Sequence, residues 1–150
     1  MEDYLERLRN ELKRVEHLFY VSLKYTRTVD VIRSVLERLM NALDIGIEAM
    51  LVKTKKRRKK LEVPEQPRKK CELAKEIFAE DAKLIKFVDF YLEMRDIFQA
   101  KYDKRDEYRR NVTMTSMLEP GKIVEVNIDL LEEYYHKTLE FAEYVGEKVA

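Results

Sequence analysis

The chain has 150 residues, 45% hydrophobic and 39% charged, with three Gly, three Pro, one Cys and no Trp. That is one domain's length with enough apolar material for a core, which excludes a disordered chain, and so few turn-forming residues exclude a β-sandwich or barrel. The lone Cys71 excludes an internal disulfide or a cysteine-built zinc cluster. The balance of 30 basic and 29 acidic side chains hides a segregation. Residues 53–70 hold ten basic and two acidic residues, +8, which leaves 20 against 27, −7, in the rest of the chain.

The N-terminal Met-Glu-Asp-Tyr-Leu-Glu-Arg is charged from its second residue, and no apolar run approaches ~18 residues. A soluble, cytoplasmic protein without a membrane partner is expected. From residue 3 to about 25, Tyr4, Leu5, Leu8, Leu12, Val15, Leu18, Phe19 and Leu23 recur at three- and four-residue steps, the stripe of an amphipathic helix. Thr26-Arg27-Thr28 reads as a break. A second helix over about 28–57 carries a wide apolar stripe from Val31 to Leu51, with Arg33, Glu37, Arg38, Asn41, Asp44 and Glu48 opposite. Gly46 inside it suits the close approach of a neighbouring helix.

Pro64 and Pro67 interrupt the chain, so about 53–70 reads as a basic linker, and Pro67 suits the first turn of a short third helix. A fourth helix begins at Glu80-Asp81 and is predicted to run to about Arg110. Val112-Thr-Met-Thr115 and Lys122-Ile-Val-Glu-Val126 flank Glu-Pro-Gly, which predicts a short hairpin or extended loop over 112–126, leaning on the helices. Asn127 or Asp129 caps a final helix. The expected fold is all-α: a single domain made of an antiparallel bundle of four to five helices, with that hairpin as its only extended part.

Two clusters carry the functional reading. Seven of the eight residues from Lys53 to Lys60 are basic, and Lys55, Lys56, Arg57, Arg58, Lys59 and Lys60 form an unbroken run. Like charges this dense repel each other, and a polyanion relieves the repulsion; the plain alternative is a solvated run. The run lacks interspersed Trp, Phe or Leu, which argues against insertion into a lipid leaflet. The second cluster is Arg105, Arg109 and Arg110 beside Tyr102 and Tyr108, where guanidinium forks can hold phosphate and rings can stack on bases. Its plain alternative is that cations placed at a helix C-terminus complement the helix dipole. His17 and His136 read as surface helix histidines. Asp44 and Glu48 share a helix face, a spacing that chance supplies readily in so acidic a chain. No catalytic residue, metal or cofactor is assigned.

The order of elements (two long helices, a shorter pair, an Arg-rich helix end, a loop, and a last helix ending Phe141-Ala-Glu-Tyr-Val145) resembles the prokaryotic HEPN family. The resemblance covers about residues 80–149. It implies a helical domain that dimerises and acts beside a nucleotidyltransferase, as in toxin–antitoxin-like pairs, and in active members an RNA-cleaving Arg followed after four to six residues by His. Here the positions counted from Arg110 hold Thr115, Ser116 and Met117; from Arg109, Met114, Thr115 and Ser116; from Arg105, Arg110, Asn111 and Val112. Arg14 lies too near His17, and Arg9 one residue too far. With no imidazole in place, the resemblance implies a homodimeric, non-catalytic protein that binds RNA, in preference to DNA, or another phosphate-rich partner. The alternatives are a protein-interaction module for a nucleotidyltransferase and a degenerate ribonuclease.

Overall fold

The computed structural model describes residues 1–150. Helix α1 (Glu2–His17) runs on through a π turn at Leu18–Ser22 into one further turn, α2 (Leu23–Tyr25), after which Thr26 leaves helical geometry at φ −134°. The break falls at Thr26-Arg27-Thr28, as its residue types predict. Thr28 is extended, and its hydroxyl accepts from the Val31 amide at 3.3 Å, so the same residue that ends the break caps the next helix.

Helix α3 (Val29–Arg57) has 29 residues, about 43 Å at 1.5 Å per residue, and is the central post of the fold. Over its middle, from Leu39 to Leu51, it is buried on nearly every side, because α1 lies against one flank, α6 against another, and α4 and α5 close the rest. Gly46 marks the tightest approach: a Cβ there would lie 2.3 Å from the ring of Phe141 on α6 (Ile128–Val149). Helix α4 (Pro67–Ile77) starts on Pro67. Helix α5 (Ala82–Gln99) is capped by Asp81, whose carboxylate accepts from the Leu84 amide at 3.1 Å.

The all-α expectation holds for the bulk of the chain and fails at the end of α5. That helix stops at Gln99, and residues 101–105 form a strand, β1 (Lys101–Arg105). It pairs antiparallel with β2 (Thr113–Leu118), which pairs antiparallel with β3 (Lys122–Val126). Helix continuation has nothing to bury here, since Tyr102 is the only apolar side chain from Lys101 to Glu107. A strand uses the same residues well: Tyr102 turns inward, half-buried, while Lys101, Asp103 and Arg105 face out. Arg33 of α3 secures the switch. Its guanidinium donates to the Phe98 carbonyl at 3.1 Å, one of the carbonyls the helix end leaves unpaired. It also sits over the rings of Phe98 and Tyr102, 4.1 and 4.4 Å from their centroids.

The hairpin predicted over 112–126 is present as β2 and β3 around Glu119-Pro120-Gly121, with Gly121 at φ +121°. It leans on the helices: Met114, Ser116 and Val126 are fully buried, and the Ser116 hydroxyl donates to the Ile97 carbonyl at 3.1 Å. Asn127, rather than Asp129, caps α6 by accepting from the Leu130 amide at 2.9 Å. One apolar core runs through the helices and the inner face of the sheet. No helix is long and apolar enough to cross a membrane.

Four tyrosines, Tyr91, Tyr134, Tyr135 and Tyr144, belong to that core and tie its stability to alkaline pH. Burial, aided by Asp44, pushes the Tyr91 phenol up to about 12; burial, aided by Glu93, does the same for Tyr134. Tyr144 is also raised, by burial and then by the hydrogen bond it donates to Asp81. A phenol held above its unfolded value of about 10 contributes stability that is complete below pH 10 and is lost as pH rises toward the folded value. Chemical denaturation from pH 8 to pH 12 should show stability falling from about pH 9, where the buried Cys71 thiol begins to contribute, and more steeply above pH 10, by about 1.4 kcal/mol per pH unit for each group involved. Stability unchanged through pH 11 would mean that these rings are not sequestered.

Candidate nucleic-acid interface

The basic run begins where α3 runs out of core. Thr54 is the last buried residue of the helix, its hydroxyl turned back to the Met50 carbonyl at 3.1 Å. Lys53 is spoken for, since its ammonium donates to the Lys148 carbonyl at the end of α6 at 2.6 Å. Lys55, Lys56 and Arg57 form the last turn of α3, and Arg58, Lys59 and Lys60 follow it. All six are exposed, and none has a carboxylate within 4.0 Å. The C-terminal dipole of α3 favours the first three, by about 0.3–1 kcal/mol each at most. It does nothing for the three beyond the helix.

Of the segment's last three cations, Lys69 is exposed and unpaired, and the other two are put to structural use. Arg68 pairs with Asp96 on α5. Lys70 is only 5% exposed and sits 3.2 Å from Asp44 and 3.5 Å from Glu48. The linker therefore ends at Gln66, and Lys70 belongs to the interior of the bundle. The same contact places the Lys70 ammonium beside both carboxylates of the Asp44–Glu48 pair. Cys71 beside it is buried, and burial pushes its thiol up to about 11, which leaves it unreactive.

The three arginines do not lie at a helix end, so the dipole explanation for them falls away. Arg105 is in β1 and pairs with Glu125 of β3 at 3.2 Å and with Asp106 at 3.7 Å. Arg109 and Arg110 project from the 106–112 loop, exposed and without an acidic partner. The loop is anchored to the break before α3. The Tyr108 amide donates to the Arg27 carbonyl at 2.6 Å, and Glu107 accepts from the Val29 amide at 3.0 Å. Asp106 and Tyr108 take φ values of +57° and +65°, a conformation that costs a tyrosine energy and is held by those bonds. Anchoring places Arg105 and Arg110 along a groove of about 790 Å³ shared with Lys24 and Arg27. Neither of these two was singled out in the sequence, because their only local signal is a helix break.

The two clusters do not form one surface. The loop with Arg109 and Arg110 is bonded at the N-terminus of α3 and Lys55–Arg57 close its C-terminus, so roughly 40 Å of helix separates them. The distance is several Debye lengths at physiological salt, and each patch acts on its own. The histidines join neither. His17 lies in a shallow basic groove with Lys13, Arg14 and Arg38, and His136 is 3.8 Å from Glu132 on the exposed side of α6. Compared with models of protein families, with characterised proteins and with solved structures, the chain matches none.

Proposed function

We propose that this protein binds the phosphate backbone of nucleic acid, RNA ahead of DNA, without cleaving it, through Lys55, Lys56, Arg57, Arg58, Lys59 and Lys60, with Arg105, Arg109 and Arg110 as a separate second contact. One observation supports this reading most: the six consecutive cations are all exposed and unpaired, while of the other four basic residues of the 53–70 segment Lys53, Arg68 and Lys70 have a partner and only Lys69 is likewise exposed and unpaired. A chain with 29 acidic residues has carboxylates to spare, so a run left unneutralised is free to meet an external polyanion. The RNA preference and the non-catalytic character rest on the HEPN resemblance and on the missing histidine after each arginine.

Six phosphate contacts imply a log–log salt slope of about −4 for a single strand and about −5 for a duplex. Anisotropy titrations of labelled single-stranded RNA, and of DNA of the same sequence, at 50 and 200 mM salt measure it. The expected result is affinity for RNA that falls by more than a hundredfold over that interval, with the RNA intact afterwards. Affinity that is negligible at 50 mM salt, or insensitive to salt, removes the proposal.

A further inference from the structure

We infer that the groove between α2, the 106–112 loop and the N-terminus of α6 binds a single nucleotide unit: a phosphomonoester held by Lys24, Arg27 and Arg110, with its base stacked on Tyr108 or Tyr25. The inference rests on the nucleic-acid reading and deepens its second contact, at the end of α3 away from the Lys55–Lys60 run.

Four cations line the groove, Lys24, Arg27, Arg105 and Arg110. Arg105 is committed to Glu125 and Asp106, whereas Lys24, Arg27 and Arg110 have no carboxylate within 4.0 Å. Arg27 carries the sharper observation. Its Nε is shut off from solvent and has no hydrogen-bond acceptor, a costly condition for a charged donor. An anion in the groove does not reach that atom; it meets the two terminal nitrogens of the same guanidinium, which carry no hydrogen bond and remain open to solvent. The N-terminus of α6 opens on the same space through Asn127, Ile128 and Asp129, and contributes the positive end of a 22-residue helix.

Three features favour a nucleotide over a bare anion. The volume, about 790 Å³, is far larger than a phosphate group needs and falls in the range of small-molecule sites. The wall also holds Asp129 and Glu132, which repel an inorganic anion but can accept hydrogen bonds from the hydroxyls of a ribose. The two most exposed large hydrophobic side chains neighbour residues of its wall: the Tyr25 ring, 78% exposed, has the Lys24 ammonium 5.9 Å from its centroid, and Tyr108, 77% exposed, is tied through its amide to Arg27. An exposed ring held on an anchored loop is a stacking platform, and one base on such a ring contributes about 1–3 kcal/mol.

The test is an amide-resolved NMR titration of the full chain with AMP, with inorganic phosphate, and with a hexaribonucleotide bearing or lacking a 5′-phosphate, run in parallel on a variant with residues 55–60 changed to Gln. AMP is expected to shift amides 24–28 and 105–113, to bind about tenfold or more tighter than inorganic phosphate, and to behave identically in the 55–60 variant. Arg27→Gln and Arg110→Gln should each weaken AMP about tenfold. Tyr108→Asn, which suits the left-handed backbone, should weaken AMP and leave phosphate unchanged. Tighter binding of the 5′-phosphorylated hexamer than of AMP assigns the groove to a strand end; equal or weaker binding assigns it to a free mononucleotide. Equal affinity for AMP and phosphate, shifts confined to residues 53–60, or an unaffected Arg27→Gln variant overturns the inference. Because the 55–60 variant isolates the groove, failure here and failure of the lysine-run reading are separate results.

Discussion

Replacing Lys55, Lys56, Arg57, Arg58, Lys59 and Lys60 together by Gln is expected to lower affinity for single-stranded RNA by a hundredfold or more at 50 mM salt. The same change should flatten the salt slope from about −4 toward −1. The prediction follows from what these side chains do not touch. They pack on no core residue and pair with no acid, so their removal leaves the folded structure intact. The midpoint of thermal unfolding should barely move, since surface changes of this kind stay within about 0.5 kcal/mol. Loss of the α3 dipole contacts and relief of mutual repulsion act in opposite directions. A fall in binding without a fall in stability separates an interface from a structural element. Unaltered affinity would mean that the run is merely solvated and that Arg109 and Arg110 provide whatever contact exists.

The second large effect concerns the frame. Gly46→Ala is expected to destabilise the protein by about 2 kcal/mol, measured by chemical denaturation, although Ala is the better helix former by about 1 kcal/mol. A methyl group at Gly46 would meet Phe141 Cε2 at 2.3 Å, Phe141 Cζ at 2.6 Å and Val145 Cγ2 at 3.2 Å. The ring cannot swing away, because it is fully buried and packed edge-on against Phe87, 5.0 Å between centroids. Gly146 on α6 provides the internal control. Nothing lies within 4 Å of a Cβ there, so Gly146→Ala should stabilise by about 0.5–1 kcal/mol. Opposite signs for the same substitution at two helical glycines would confirm the α3–α6 contact. Equal stabilisation at both would mean that the two helices are not seated as described.

That contact also keeps the two basic surfaces apart. With α3 a continuous helix packed against α1, α5 and α6, the Lys55–Lys60 run and the Arg27–Arg110 groove are held at opposite ends of one element. A short oligonucleotide reaches one or the other. A single strand long enough to cover roughly 40 Å can reach both, and its affinity then gains from the second contact through effective concentration.

Much of the fold was legible because its signals are local. Periodic leucines and valines, Thr26-Arg27-Thr28 as a break, Glu80-Asp81 and Pro67 at helix starts, Asn127 as a cap and Glu-Pro-Gly as a turn each act within a few residues of themselves, so α1, α3, α4, α6 and the hairpin follow from the chain alone. Gly46 was readable for the same reason, since a glycine inside so apolar a stripe has few other uses. The exposure of Lys55–Lys60 was equally readable: nothing local can bury six adjacent cations.

What required the tertiary structure were the pairings between distant segments. Strand β1 exists because Lys101–Arg105 meet Thr113–Met117 across a loop and because Arg33, far back in the chain, takes the Phe98 carbonyl. Lys70 is an interior residue because Asp44 and Glu48 face it from another helix. The groove exists because the Tyr108 amide reaches the Arg27 carbonyl, joining a helix break to a strand connection 81 positions later. Periodicity and capping are properties of neighbours along the backbone, and the sequence alone determined them. Ion pairs, sheet register and the meeting of Arg27 with Arg110 depend on which surfaces the packed helices bring together, and only the folded molecule decided those.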